Sequence, residues 1–369
     1  MTFNLGRRRF MQGALAAGAS LASVRSTLAQ AVDFSGKRIE IIVGGAAGGT
    51  SDIVARFIGR GLERELPGNP TILIRNITGG GSIEAANTFD KNAKDDGLLL
   101  FYSTPSSILN PLFLENAEQI RFDPSRWKQF MASAGGYINC GSKAGGIDSI
   151  DALKAAIEAK QRITMGMSSP IGSALMYNMA MEMLGANLVP AFNVGSAEAA
   201  QAFLRGEFMV NTSALVNYNA ALEPLVASGE VVPLYTLGQA DENGNLIRDP
   251  QEPDIPHVGE VYEIIFAKKP EGEAFEVYKV LVDALIANAR GVMLPGITRL
   301  EIFQAYSEAA ERAFKNVHTD PKAIEIVGPI PLTFGTASEA RLTRMLPKLT
   351  PELIGYLKNL YRTKYNVPI

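Results

Sequence analysis

IEIIVGGAAGGTSDIVARFIGRGLERE, at residues 39–65, joins an apolar stretch to a glycine loop and then to a helical pattern. Ile39 to Val43 is a short apolar run, which favours a buried strand. Four glycines lie within residues 44–49, and the Thr-Ser-Asp sequence at 50–52 opens an amphipathic helix. The stretch therefore predicts a strand, a loop and a helix in direct succession.

A second stretch repeats this arrangement. Residues 71–89 read TILIRNITGGGSIEAANTF, with a predicted strand at 71–75, glycines at 79–81 and a helix that begins at Ser82. Glycines allow a ligand to approach the backbone closely. A helix N-terminus presents unpaired N–H groups and the positive end of the helix dipole. Two such helix ends side by side favour the binding of a small anion such as a carboxylate.

The rest of the chain continues to alternate short apolar runs with helical patterns. Further strands are predicted at 98–103, 163–167, 188–192, 208–211 and 231–237, and helices at 106–114, 150–159, 173–184, 197–204, 273–289, 299–315 and 351–361. Such alternation indicates α/β layers with mostly parallel sheets. The length of the chain favours two domains.

The N-terminal residues have the form of an export signal. Residues 6–11, GRRRFM, match the twin-arginine form, an apolar run follows at 14–22, and Ala29 ends a small-residue cleavage site. The apolar run is well short of the ~20 residues that span a bilayer, so a cleaved signal at 1–29 is favoured over a membrane anchor. We therefore expect a periplasmic protein, with cleavage after Ala29.

Charge and residue types exclude several classes of function. Loss of residues 1–29 removes four arginines and no acid, which leaves 31 basic and 38 acidic residues and a formal charge of −7. An acidic chain without basic clusters is not expected to bind nucleic acid. Cys140 is the only cysteine, so no intramolecular disulfide can form. Neither His257 nor His318 has partners at metal-ligand spacing, and we predict no metal site.

The sequence also lacks the signatures of catalysis and of nucleotide binding. It contains no Gly-x-Ser-x-Gly nucleophile elbow. The loop at 44–49 fails the dinucleotide pattern because Ala46 replaces the second glycine, and no lysine precedes Thr50 as a phosphate loop requires. We predict no cofactor, no catalytic residue and no enzyme activity.

Several motifs together resemble the substrate-binding proteins of the tripartite tricarboxylate transporters, the Bug or TctC type. The family's first loop, of the form PFAPGGGTDIVAR, is matched by residues 44–56, and its second loop, of the form NKPGAGGNIGA, by residues 76–85. Further matches follow in order at 96–97, 169–173, 195–196 and 253–256. The resemblance covers most of the chain from about residue 37 onward.

This resemblance implies an α/β fold of the two-domain periplasmic binding protein kind, type II-like, with the ligand cleft between the domains and two interdomain crossings. Domain 1 would comprise residues 30–136 and 258–369, and domain 2 residues 137–257. The chain departs from the family at about 262–290, where an extra helical segment is inserted into domain 1. We interpret this insertion as a surface helix, with a hinge brace or a partner contact as alternatives.

The resemblance also implies the residues that bind the ligand. In the family, backbone N–H groups of the first loop and of a second-domain loop hold the proximal carboxylate. The matching positions, with polar candidates along the other walls, are Ala47, Gly48, Gly49, Thr50, Ser51, Asp52, Thr104, Ser107, Ser168, Ser169, Gly172, Ser173 and Asn193. Other roles remain open for some of these residues: 169–173 also fits a helix-capping turn, and Asp52 also fits a residue that favours the helix dipole or fixes the loop. His257 either reaches the cleft or is a turn residue, and the turn is favoured.

The resemblance implies that the protein captures a small organic carboxylate and delivers it to the permease subunits of a membrane transporter. The ligand would be a dicarboxylate, a tricarboxylate or an aromatic carboxylate. We expect a monomer. Gly44-Gly45 replaces the family's Pro-Phe pair and Asn193 replaces a tyrosine, which favours a ligand larger or more polar than a short dicarboxylate. One alternative is a ligand-sensing subunit for a sensor kinase. Another is an exported enzyme that acts on an acidic metabolite, with Asp52 or His257 as its acid or base.

Overall fold

Strands and helices alternate along most of the described chain. The computed structural model describes residues 32–114, 117–241, 244–286, 288–328 and 332–369, so the predicted signal at 1–29 lies outside it. The strands are β1 (Arg38–Val43), β2 (Thr71–Asn76), β3 (Leu99–Ser103), β4 (Lys128–Ser133), β5 (Tyr137–Ser142), β6 (Arg162–Met167), β7 (Asn187–Phe192), β8 (Val210–Ala214), β9 (Val231–Thr236), β10 (Gln239–Ala240), β11 (Leu246–Ile247), β12 (Arg290–Leu294) and β13 (Thr333–Phe334). The helices are α1 (Thr50–Glu65), α2 (Ile83–Lys91), α3 (Pro105–Phe113), α4 (Ile150–Glu158), α5 (Ser173–Met183), α6 (Ser196–Leu204), α7 (Leu215–Ala221), α8 (Val258–Phe266), α9 (Glu273–Ile286), α10 (Leu300–Phe314), α11 (Pro321–Val327), α12 (Gly335–Met345) and α13 (Pro351–Lys364).

The first sheet has six strands in the order β13-β4-β12-β3-β1-β2. Strand β1 is parallel to both β2 and β3, whereas β12 is antiparallel to its neighbours β3 and β4. Ile39, Ile41, Ile42 and Val43 of β1 are all buried, because helices cover both faces of a parallel sheet. The loop after β1 therefore starts from a fixed strand end and leads directly into α1.

The second sheet has the strand order β8-β5-β9, and a parallel pair, β6-β7, lies beside it. The backbone N–H of Met209, just ahead of β8, donates to the carbonyl of Thr164 in β6 at 3.1 Å, which joins the pair to the sheet. The loops that follow β6 and β7 lead into α5 and α6. Helix N-termini thus follow strands here as they do in the first sheet.

The two sheets are built from separate parts of the chain, which passes between them twice. It crosses from the first sheet to the second at 134–136, between β4 and β5, and it returns between β9 and β12. Because the two sheets take their strands from separate parts of the chain, we propose domain boundaries at 136/137 and 257/258. Helices α8 and α9 follow the second boundary in sequence but contact α4 and α5, which connect strands of the second sheet.

Helix α9 lies in the segment that departs from the family pattern, and it is largely buried. Its buried residues are Val277, Tyr278, Leu281, Val282, Ala284, Leu285 and Ile286. The helix packs against α5, and the hydroxyl of Tyr278 donates to the carbonyl of Leu237 at 2.5 Å. This packing differs from the surface helix that we expected. It also explains why α5 has buried residues around most of its circumference.

In the ranges that the structure describes, no helix combines the length and the apolar character that a membrane crossing requires. The same ranges contain no group of three or more His, Cys, Asp or Glu side chains that could hold a metal ion. Cys140 is buried in β5, and burial raises the pKa of its thiol, which keeps the thiol protonated.

Candidate functional site

A cleft of about 720 Å³ lies where the loops of the two sheets face each other. This volume is within the usual range of small-molecule sites. Loops 44–51 and 78–82 and residues between 102 and 106 line it from the first sheet, and residues between 166 and 174, 193–199 and residues between 211 and 217 line it from the second. The cleft lies beyond the carboxyl ends of β1, β3 and β6, where open α/β sheets bind ligands.

The structure brings ten of the thirteen predicted site residues together at this cleft. The ten that line it are Ala47, Gly48, Gly49, Thr50, Ser51, Thr104, Ser168, Ser169, Ser173 and Asn193. Asp52, Ser107 and Gly172 do not line the cleft, and each has a structural role behind its wall. Asn211 and Thr212 are further lining residues. Ligand binding by these residues remains a prediction.

Asp52 is buried and fixes the first loop. Its Oδ2 accepts hydrogen bonds from the backbone N–H of Gly48 and from Nε of Arg56, each at 2.9 Å, and Oδ1 pairs with Nη2 of Arg56 at 2.9 Å. Burial raises the pKa of Asp52, but these hydrogen bonds outweigh that effect and hold the pKa below its usual value. Of the roles considered for Asp52, the structure supports the one that fixes the loop.

Ser107 and Gly172 are structural residues at two helix starts. The hydroxyl of Ser107, fully buried in α3, accepts from the backbone N–H of Thr104 at 3.0 Å and donates to its carbonyl at 2.8 Å. Gly172 has φ +90°, and a Cβ there would lie 2.2 Å from Oγ of Ser106. Only glycine fits this position without strain.

The two walls of the cleft touch at one end. Oγ of Ser106, after β3, donates to the carbonyl of Ile171, after β6, at 3.2 Å. Close to this bond, a Cβ on Gly81 would lie only 2.9 Å from Oγ of Ser169. Contact between walls that belong to different sheets closes the cleft at this end.

Of the Gly44-Gly45 pair, Gly45 has room for a Cβ, which would lie 3.5 Å from Cβ of Ser51, whereas Gly44 brings the first two loops together. A Cβ at this position would lie 2.4 Å from Oγ of Ser82, and that hydroxyl donates to the carbonyl of Gly44 at 3.1 Å. The space that a larger residue would take is therefore filled by Ser82. Asn193 lines the opposite wall with φ +65°, a conformation that asparagine tolerates better than most residues.

Several helices begin at the cleft. Two of them, α2 and α7, follow Ser82 and Ala214 and have no side-chain cap, whereas Thr104 forms a capping box at the start of α3. Three further helices begin at the cleft after a glycine and also have no side-chain cap. The residue before the first turn is Gly49 in α1, Gly172 in α5 and Gly195 in α6. Away from the cleft, four helices have a side-chain cap: Ser149 caps α4 and Thr350 caps α13 through their hydroxyl groups, and α8 and α11 are also capped. Helices α10 and α12 have no side-chain cap. The first N–H groups of a helix have no partner within it. The cleft therefore receives several sets of N–H groups and the positive ends of the corresponding helix dipoles.

His257, the other candidate acid or base, lies outside the cleft lining and caps α8. Its Nδ1 accepts from the backbone N–H of Gly259 at 3.0 Å and of Glu260 at 3.3 Å, while Oε2 of Glu260 accepts from the N–H of His257 at 2.9 Å. Burial lowers the pKa of His257, which favours the neutral ring that this cap requires. The interpretation as a turn residue is therefore supported.

Among the cleft residues that sequence analysis did not predict are Tyr137, Tyr177 and Arg290. The rings of Tyr137 and Tyr177 meet edge to face at a centroid distance of 5.6 Å, and the hydroxyl of Tyr137 lies 3.0 Å from Oγ of Ser173. Arg290 is the only cation among the described residues that line the cleft, and Glu198 is the only acid. The only feature of the sequence that could have indicated a role for Arg290 is the position of this basic residue at the start of an apolar strand.

No family model and no curated protein matches the sequence. Solved structures match it over most of its length. BugD, a periplasmic binding protein, is 18% identical with a TM-score of 0.62, and the match covers 89% of this chain and 97% of that one. An R. palustris protein solved with adipate is 19% identical with a TM-score of 0.65 over 86% and 97% of the two chains. MatC from Rhodopseudomonas palustris, with bound malate, is 18% identical with a TM-score of 0.61 over 88% and 98%.

A further match, a TctC solute-binding protein from Polaromonas, has a TM-score of 0.55 at 15% identity. The chain therefore has the two-domain α/β fold of the Bug- and TctC-type periplasmic binding proteins.

Proposed function

We propose that this chain is a substrate-binding protein of the tripartite tricarboxylate transporter family, which captures a small organic carboxylate in the cleft and delivers it to membrane permease subunits. The observation that carries the proposal is the convergence of three uncapped helix N-termini, each preceded by a glycine, on one cleft. Oriented N–H groups form charge-assisted hydrogen bonds with a carboxylate, so no lysine is required.

Two further points support this function. The structures that match include one protein solved with adipate and one with bound malate, and both ligands are dicarboxylates. The twin-arginine form at residues 6–11, with cleavage after Ala29, would place the mature protein in the periplasm. We propose that it acts there as a monomer and binds no nucleic acid.

An enzymatic function is disfavoured because the two candidate acid–base residues make structural hydrogen bonds. Asp52 accepts from Gly48 and Arg56, and His257 caps α8. A ligand-sensing subunit for a sensor kinase would use the same cleft and differ only in its partner. We favour delivery to a permease, on the resemblance of the chain to transporter subunits.

A thermal-shift screen of residues 30–369 tests the proposal. The panel contains di-, tri- and aromatic carboxylates, with amino acids and nucleotides as controls. A ligand at 100 times its Kd stabilises a folded protein by about 2.7 kcal/mol, which corresponds to a rise in Tm of about 4 °C for a chain of this size. We expect such a rise with one class of carboxylate and none with nucleotides. No rise with any carboxylate would refute carboxylate capture.

A further inference from the structure

Arg290 is a buried cation without an acidic partner. It is the first residue of β12, only 7% of its surface is exposed, and it lines the cleft. Within the described residues, its side chain makes a single hydrogen bond, from Nη1 to the carbonyl of Val327 at 3.3 Å. No carboxylate in these ranges lies within 4.0 Å of its guanidinium nitrogens. A guanidinium has five N–H donors, so most of them are left for another acceptor.

Asp249, a buried acid in the same region, does not neutralise Arg290. No guanidinium nitrogen of Arg290 lies within 4.0 Å of a carboxylate oxygen of Asp249, and Nε2 of Gln239 donates to Oδ1 of Asp249 at 3.3 Å. Oδ1 of Asp249 accepts from the backbone N–H of Gln251 at 3.0 Å. Burial raises the pKa of Asp249, which favours its neutral form. A buried charge without a counter-ion is costly, and Arg290 is therefore well suited to receive an anion from the cleft.

Tyr102 provides a second donor beside Arg290. It is 1% exposed, it lines the cleft, and its hydroxyl makes no hydrogen bond within the described residues. Burial raises the pKa of Tyr102 and of Tyr137, and the positive charge of Arg290 opposes this effect at both hydroxyls. The geometry agrees with this: Tyr102 pairs with Val292, two residues from Arg290 on β12, so the side chains of Tyr102 and Arg290 lie on the same face of the sheet. A Cβ on Gly135 would lie 3.8 Å from both Nη2 of Arg290 and Cε2 of Tyr137.

The strand order separates Arg290 from the first loop. Strand β3 lies between β1, which leads into α1, and β12, which begins at Arg290. Two strand spacings amount to about 10 Å. The N-terminus of α1 and the start of β12 therefore belong to different parts of the cleft wall, an arrangement that suits a ligand with two acidic groups. The rings of Tyr137 and Tyr177 are among the lining residues.

We propose that Arg290 and the hydroxyl of Tyr102 bind the distal acidic group of the ligand, so that the protein selects dicarboxylates over monocarboxylates of equal chain length. This inference rests on the proposed function and narrows it. The N-termini of α1 and α5 take the first carboxylate, and Arg290 takes the second. Glu198, the only acidic residue among the described lining residues, belongs to the first turn of α6 and is exposed, so it does not neutralise the arginine.

Calorimetric titration with matched acids tests the inference. The probes are succinate, adipate and suberate, and their monocarboxylate counterparts butanoate, hexanoate and octanoate, on wild-type protein and on Arg290→Gln. We expect wild-type protein to bind at least one diacid ~10-fold or more tightly than its monoacid, since a charge-assisted hydrogen bond is worth about one to two powers of ten. The R290Q variant should lose that preference and keep its affinity for the monoacid. Arg38→Gln, an exposed arginine remote from the cleft, is the matched control and should leave both affinities unchanged.

Two variants keep the test decisive if R290Q does not fold. Arg290→Lys retains the charge without the planar fork, and Tyr102→Phe removes only the hydroxyl; each should lower the diacid affinity and spare the monoacid. Equal losses for diacid and monoacid would indicate a structural role for Arg290 and overturn the inference. Wild-type binding of monoacids as tightly as diacids would also overturn it and leave the proposed function intact. No binding of any acid would refute both.

Discussion

Replacement of Thr50 by proline tests whether the N-terminus of α1 holds the ligand. Thr50 is the first residue of α1, so its N–H has no acceptor within the helix. Proline removes this N–H, but it is well tolerated as the first residue of a helix. The preceding residue, Gly49, has φ −79° and ψ 170°, which is the extended conformation that a residue before proline prefers. The substitution therefore removes one donor and leaves the helix intact.

The expected loss follows from the strength of one hydrogen bond to a charged group. Such a bond contributes about 1.5–3 kcal/mol, which corresponds to about a 10- to 100-fold increase in Kd. Stability should stay unchanged or rise by up to about 1 kcal/mol, because proline restricts the unfolded chain. Calorimetric titration with the carboxylate that gives the largest thermal shift measures the first effect, and urea unfolding without ligand measures the second.

Leu300→Pro is the matched control for this substitution. Leu300 is the first residue of α10, 64% of its surface is exposed, and it does not line the cleft. Its preceding residue, Arg299, is also extended, with φ −64° and ψ 148°. We expect L300P to bind like wild-type protein. Wild-type affinity in T50P, or an equal loss in L300P, would refute binding of the ligand by the N–H of Thr50.

Three further substitutions test the packing behind the cleft. Gly172→Ala should destabilise the protein by at least about 1 kcal/mol more than Gly185→Ala in urea unfolding, since both glycines have positive φ but only Gly172 lacks space for a Cβ; equal losses would contradict the close contact. Asp52→Asn should cost about 1–2 kcal/mol at pH 7. Because the pKa of Asp52 is lowered in the folded state, its contribution is present above the unfolded value of 3.8 and is lost as pH falls through the folded value. The difference in stability from wild type should therefore shrink below pH 3.8. The exposed control Asp95→Asn should leave the stability at pH 7 unchanged. Tyr278→Phe should cost about 1–2 kcal/mol in urea unfolding because it leaves a buried carbonyl without its donor, and an unchanged stability would contradict that bond.

The elements that the sequence predicted well are those with a visible pattern. The strand, glycine loop and helix at 38–65 agree with prediction to within one residue, because an apolar run next to glycines and an amphipathic helix both leave clear signals. Strands β4 and β5 were missed. Nearly every position in both strands is buried, including Gln129 and Asn139, so neither alternation nor a continuous apolar run marks them. Their polar side chains are satisfied by tertiary partners that the sequence does not show.

The same reason explains why only part of the site could be predicted. The first loop is proposed to bind through its backbone, and glycines next to a helix start are visible in the sequence. The position of Arg290 at the cleft depends on tertiary structure, because strand β12 must pair with β3. Its lack of an acidic partner among the described residues also depends on tertiary structure. A buried arginine looks like any surface arginine in a sequence, since its burial is set by elements that are far away along the chain.

The residues that precede each helix are visible in the sequence, and the lack of a capping side chain lowers the stability of a helix. A Ser, Thr, Asp or Asn cap contributes about 1 kcal/mol to a helix, yet α1, α5 and α6 begin after glycines. Each of these helices leaves its first N–H groups open where the two walls of the cleft meet. A bound carboxylate would satisfy donors from both sheets at once, and it would therefore stabilise the arrangement in which the walls face each other more than any arrangement in which they are apart. On the proposed function, a bound carboxylate would supply stability that the missing caps do not, and its binding would therefore favour closure of the cleft.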